Sequence, residues 1–204
     1  MRDVSYWNNN NSLRALMGGT EEENIVELQA ISSILQELNL NNSTILDLGC
    51  GVGRVIPVFL QFNPLKIVGI DWSQNMINIA KEKYKNYNNV EFLCSRFDEI
   101  NLLDNSFDLI FCMYVLIHLT DEEYYRKTIL NMQRLTKKYI LIGQCMDNIV
   151  FNINDDFVKI RSADELVKDF NLCRKVKLRL NYNYVQTSKD YPKTPISYLL
   201  LEKI

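Results

Sequence analysis

Residues 45–55 read ILDLGCGVGRV and hold three of the chain's seven glycines within five positions. No other stretch limits the fold so tightly. The apolar run with one carboxylate has the length of a buried strand, and glycines at alternate positions after it make a loop whose backbone a ligand can approach. A strand, a ligand-cradling turn and a helix form the opening unit of a doubly wound α/β sheet.

The pattern around this unit repeats it. Ile25, Leu28, Ile31, Leu35 and Leu38 recur at helical spacing behind Glu21, Glu22 and Glu23, which predicts a helix before the first strand. Strands are expected at 45–48, 66–70, 90–94, 107–113 and 139–143. Helices are expected at 53–62, at 73–84 with Ser73 as its cap, and near 121–135. Short apolar strands separated by helices mean a parallel sheet covered on both faces. After a further helix near 163–170, two longer strands at 176–185 and 196–202, joined by a turn-rich piece at 188–194, are expected to pair antiparallel. The expectation is a Rossmann-like α/β fold, doubly wound, with a seven-stranded, mostly parallel sheet ended by an antiparallel hairpin. A chain of 204 residues fits one domain, with residues 1–43 as a helical lid and 44–204 as the core.

Composition removes several functions. The longest apolar run, residues 109–117, is too short to span a bilayer, and no secretory or transit segment is apparent at the N-terminus, so a cytoplasmic, membrane-free protein is expected. Five scattered cysteines with no C-x-x-C and a single histidine argue against a metal site or a disulfide framework. The formal net charge of -2 gives no drive toward a polyanion, so no nucleic-acid partner is expected. The one basic cluster, Arg174 to Arg179, alternates with apolar residues as the wet face of a strand would.

The loop itself separates two ligands. A dinucleotide fingerprint places a third glycine where this chain has Arg54, and a guanidinium in such a cleft prefers a carboxylate or phosphate. S-adenosylmethionine carries a carboxylate and no phosphate. Asp71, closing the second strand, stands where a carboxylate accepts both hydroxyls of a ribose.

ILDLGCGVGR, VGIDWSQNMINIAKEK and FDLIFCMYVLIHLTDEE together resemble the class I S-adenosylmethionine-dependent methyltransferases, from about residue 44 to the C-terminal hairpin. The resemblance implies that Asp47, Gly49, Cys50, Gly51, Gly53 and Arg54 bear on the methionine part of the cofactor and that Asp71 binds its ribose. Trp72, Met76, Arg96 and Phe97 would flank adenine, with Met113 and Trp7 also against the cofactor. Arg96 stands where many members carry an acid. YWNNNNSLRALMGG, GxGR and VLIHLTD further resemble the protein N-terminal alpha-amine methyltransferases, which modify chains beginning X-Pro-Lys. That likeness implies His118 and Asp155 as the residues handling the amine proton, and Tyr114 and Cys145 on the substrate side. Cys145 replaces the asparagine of that family, and Ile117 replaces the glycine before its histidine.

Methyl transfer from a sulfonium is an in-line displacement with a charged leaving group, so positioning dominates and no metal is needed. An amine acceptor arrives protonated and needs a proton acceptor, a role within the range of histidine. His118 either takes that proton or caps a helix. Asp155 and Asp156 either hold a cation or form a solvated turn, and Tyr6 and Trp7 are either an aromatic lid or a tether. The expected activity is methyl transfer to an amine such as a protein N-terminus. Small-molecule N- or O-methylation and an inactive cofactor-binding subunit are the alternatives.

Overall fold

The computed structural model describes residues 3–9, 21–146, 157–171, 173–181 and 196–204, with the backbone alone for 173–181. In chain order the elements are α1 (Val4–Asn9), α2 (Glu21–Leu35), β1 (Thr44–Leu48), α3 (Ile56–Leu60), β2 (Lys66–Asp71), α4 (Gln74–Lys83), β3 (Val90–Cys94), β4 (Phe107–Met113), a 3-10 turn at Leu116–His118, α5 (Glu122–Leu135), β5 (Thr136–Gln144), α6 (Ala163–Asp169), β6 (Cys173–Asn181) and β7 (Ile196–Lys203). The strands lie in the order β3-β2-β1-β4-β5-β7-β6. The pairs β3-β2, β2-β1, β1-β4 and β4-β5 are parallel, whereas β7 runs antiparallel to both β5 and β6. The expected mostly parallel sheet with an antiparallel C-terminal pair is the one that forms.

Alternation along each strand divides the apolar residues between two faces. Ile45, Ile67, Leu109 and Leu141 face a core closed by α2, α3 and α4. Leu46, Val68, Ile110 and Ile140 face one closed by α5 and α6. Because the chain winds outward from β1 to β3 and then returns to β4 on β1's other side, the crevice opens at the carboxyl ends of β1 and β4. That is where the glycine loop ends β1.

Four expectations are corrected. The helix expected at 53–62 is only Ile56–Leu60, because Gly49, Gly51 and Gly53 all hold positive φ and residues 49–55 are spent on the loop. The strand expected from 139 begins at Thr136, directly after α5, and the strand expected from 176 begins at Cys173. Helix α2 is also turned relative to its reading. Ile25 is exposed, and the buried residues are Glu27, Ile31, Ile34 and Leu35. Ser73 caps α4 as expected, its Oγ accepting the Met76 N–H. The end of the strand expected at 182–185 and the turn at 188–194 lie outside the described residues, as do the side chains of Arg174 to Arg179. Among the described residues no helix is long and apolar enough to cross a membrane.

Candidate active site

The loop after β1 is built by backbone. The N–H groups of Gly49 and Cys50 both donate to the Ile70 carbonyl, at 2.7 and 3.0 Å, which fastens the loop to the end of β2. Each glycine has its own reason. A Cβ at Gly49 would stand 2.1 Å from Val115 Cγ2, and one at Gly53 would stand 2.6 Å from the ring of Tyr84, whose hydroxyl donates to the Gly53 carbonyl at 2.6 Å. A Cβ at Gly51 would meet nothing within 4 Å, so this residue borders open space. The Cys50 side chain turns into the core, where burial pushes its thiol well up and leaves it inert as a nucleophile.

Carboxylates surround the open space. Asp71 accepts the N–H of Gly51 at 2.9 Å and of Ser73 at 2.8 Å, one bond per oxygen, which leaves further lone pairs on both. Burial raises its pKa. Asp47 on β1 is buried and its Oδ2 has no hydrogen-bond partner; burial lifts its pKa to about 7 against the pull of Arg54. A buried acceptor without a donor costs about 1–3 kcal/mol, so a ligand bringing a donor is favoured there.

Arg54 is not free in the cleft. Its Nη1 lies 2.6 Å from Glu27 Oε2 and donates to Asn24 Oδ1 at 2.8 Å, both on α2, and its Nη2 is 3.6 Å from Met113 Sδ. Glu27 Oε1 accepts the Tyr114 hydroxyl at 2.6 Å. Tyr114 follows β4 with φ 56°, left-handed for a residue with a side chain.

On the other side of the cleft Arg96 is held over aromatic rings. Asp98 holds it by two bonds of 2.9 and 3.0 Å, and its guanidinium lies over the rings of Tyr124 (4.4 Å) and Trp72 (5.3 Å). Phe97 is buried, its N–H donating to the Tyr124 hydroxyl. Met76 is buried at the start of α4. Helix α1 crosses this end of the sheet: Asn8 accepts from the Ser73 hydroxyl at 2.8 Å and from Asn75, and the Trp7 ring meets His118 edge-on at 5.1 Å. The His118 turn is pinned from behind by Arg161, which is buried and donates to the carbonyls of Leu116 and Leu119, both at 3.1 Å. Cys145 is buried just beyond β5. Asp155 and Asp156 lie outside the described residues.

Residues 45–139 match the family described as Methyltransferase domain. Over this stretch the chain is similar to the methyltransferases of that family. Within it the chain is 34% identical over 90 residues to a tRNA U34 carboxymethyltransferase of Nautilia profundicola, covering 43% of the chain and 30% of the relative. It is 31% identical over 96 residues to a phosphoethanolamine N-methyltransferase of Plasmodium falciparum, covering 47% and 36%. The chain thus spans about a third of the length of these curated relatives. Among solved structures, magnesium protoporphyrin IX methyltransferase from Synechocystis with bound S-adenosylhomocysteine aligns with a TM-score of 0.76 over 98% of each chain at 17% identity, a likeness of fold.

The residues present fit the cofactor of such a domain. Asp47 Oδ2 lacks a donor that the cofactor's ammonium would supply, Gly51 borders open space, and Asp71 has lone pairs that would accept ribose hydroxyls. Several contributors carry no local sequence signal. Tyr84 and Arg161 act on partners distant in the chain. Glu27 had one sign, an acid lying on the Ile31 and Ile34 stripe of α2, and a buried acid demands a buried cation.

Proposed function

We propose that the chain is an S-adenosylmethionine-dependent methyltransferase whose acceptor is a small amine. The observation that carries the acceptor reading is the Trp7 ring set against His118 at the carboxyl end of β4. An aromatic face attracts an ammonium group, and the imidazole beside it takes the proton that must leave before the nitrogen has a lone pair. The bound cofactor supplies a methyl group on a positively charged sulfur. On this reading Asp47 and Asp71 hold the cofactor's ammonium and ribose, the glycine loop sets its depth, and Arg54 faces its carboxylate end. Trp72 lies beside the adenine, with Arg96, drawn aside by Asp98, outside direct contact. Arg161 keeps His118 from swinging away.

Supporting the small acceptor over a peptide N-terminus, α1 lies across the cleft, tied down through Asn8, where a peptide would have to leave. Residues 1–43 then act as a lid on the core. Relatives with acceptors as different as tRNA and phosphoethanolamine share the part matched here, so the acceptor has to be read from the surrounding side chains.

The test is release of S-adenosylhomocysteine across a panel of small primary and secondary amines, with X-Pro-Lys peptides and phenols alongside. Turnover with amines that falls on His118→Ala is the expected result. Turnover confined to peptides or to phenols would overturn the small-amine reading, and none with any acceptor despite cofactor binding would point to a binding subunit.

A further inference from the structure

Glu27 has no part in the reading above. It sits completely buried on the face of α2 that also buries Ile31 and Ile34, a place where an apolar side chain would dock the helix without help. A carboxylate there loses its hydration at a cost of several kcal/mol, and replacing such a buried ion pair with well-packed apolar residues is often neutral or stabilising. Burial raises its pKa accordingly, with Arg54 pulling the other way. Docking of α2 therefore does not account for an acid at this position.

Its geometry gives it a different role. One oxygen is 2.6 Å from Arg54 Nη1 and the other accepts the Tyr114 hydroxyl at 2.6 Å. Asn24, nearly a turn earlier on the same helix, takes a hydrogen bond from the same guanidinium nitrogen. Arg54 belongs to the glycine loop and Tyr114 to the end of β4, so one carboxylate joins the two strand ends that border the crevice. With Nη1 ion-paired to Glu27 and bonded to Asn24 on α2, the guanidinium is held on that edge, and its Nη2 is set toward β4, beside Met113 Sδ. A planar fork held on one edge offers the other in a defined direction. Tyr114, which the same carboxylate holds by its hydroxyl, stands in a left-handed conformation.

We infer that Glu27 is a positioning residue for the amino-acid end of the cofactor, holding Arg54 with its remaining N–H groups presented to the carboxylate and tying α2 to cofactor binding. The inference rests on S-adenosylmethionine being the cofactor and is independent of the acceptor.

Two ligands separate positioning from general damage. S-adenosylhomocysteine has the amino-acid end, and 5′-methylthioadenosine keeps the thioether and adenosine without it. Calorimetric titration of both into wild type and Glu27→Leu is expected to show S-adenosylhomocysteine weakened about tenfold, the scale of one charge-assisted hydrogen bond, with methylthioadenosine unchanged. Glu27→Gln, which keeps an acceptor for Tyr114 and loses the charge facing Arg54, is expected to fall between wild type and Glu27→Leu. Equal weakening of both ligands, or weakening of neither, overturns the positioning role. Absence of S-adenosylhomocysteine binding in wild type overturns the cofactor reading instead. Should Glu27→Leu not melt cooperatively, the same two titrations on Glu27→Gln decide the matter.

Discussion

The two sides of the crevice are made of different materials. At β1 and β2 the site is backbone: three left-handed glycines, two N–H groups on the Ile70 carbonyl and an aspartate that ties Gly51 to Ser73. At β4 it is side chains delivered from afar, with Trp7 from α1, Glu27 from α2 and Arg161 from beyond β5 converging on Tyr114 and the His118 turn. Backbone geometry is written locally, as glycines at fixed spacing. A cluster assembled across a hundred residues leaves only residue types behind. On the proposed reading the first side holds the cofactor and the second is where an acceptor is chosen.

The largest effect should come from the backbone side. Gly49→Ala combines a left-handed φ of 76° with a Cβ overlapping Val115, and is expected to cost about 3 kcal/mol or more in a thermal or urea melt. Gly51→Ala carries the strain without the overlap, so it should cost only about 1 kcal/mol in the melt. Because Gly51 borders open space, its alanine variant should lose cofactor affinity out of proportion to that. Equal losses of stability in the two variants would erase the distinction between packing glycine and ligand glycine.

The side-chain half breaks differently. His118→Ala is expected to slow turnover about a hundredfold at neutral pH while leaving the melt nearly unchanged. Arg161→Met removes the two bonds that hold the turn, and should lower stability by about 2 kcal/mol while lowering kcat more than it raises KM for the acceptor. A variant with wild-type kcat would show that the turn holds itself.

The last effect is a pH dependence on the backbone side. Asp47 in the free protein has a pKa raised to about 7, so between its ordinary value and about 7 the folded chain binds more protons than the unfolded one. Stability from this group is present at low pH and is lost as pH rises through about 7. Cofactor binding needs the ionised form, and S-adenosylhomocysteine affinity should fall as pH drops below about 7, by up to tenfold per pH unit. Asp47→Asn is expected to flatten that slope. A wild-type affinity constant from pH 5.5 to pH 8 would show that Asp47 does not meet the ligand.

How much could be read in advance follows the same division. The parallel strands with their intervening helices, the cap at Ser73 and the crevice came from spacing, since hydrophobic period and glycine position act over a few residues. Arg54 was recognised as a cleft residue, but its partners on α2 were not, because nothing near GVGRV points to a helix thirty positions earlier. Glu27 was concealed by a helix reading that put Ile25 on the inner face. In the structure Ile25 is 48% exposed and Glu27 is buried, since the cation waiting inside reverses the usual preference. For Arg96 the sequence offered a place after β3, but not the bond to Asp98, two residues on, that sets its guanidinium over Tyr124.

One measurement tests the central claim, that the β1–β2 side is a complete cofactor site independent of the acceptor side. S-adenosylhomocysteine is titrated calorimetrically at pH 8 into the wild-type chain and into His118→Ala. The account predicts saturable binding to both, with affinities within about twofold of each other. No binding to wild type, or binding that disappears with His118, would contradict it.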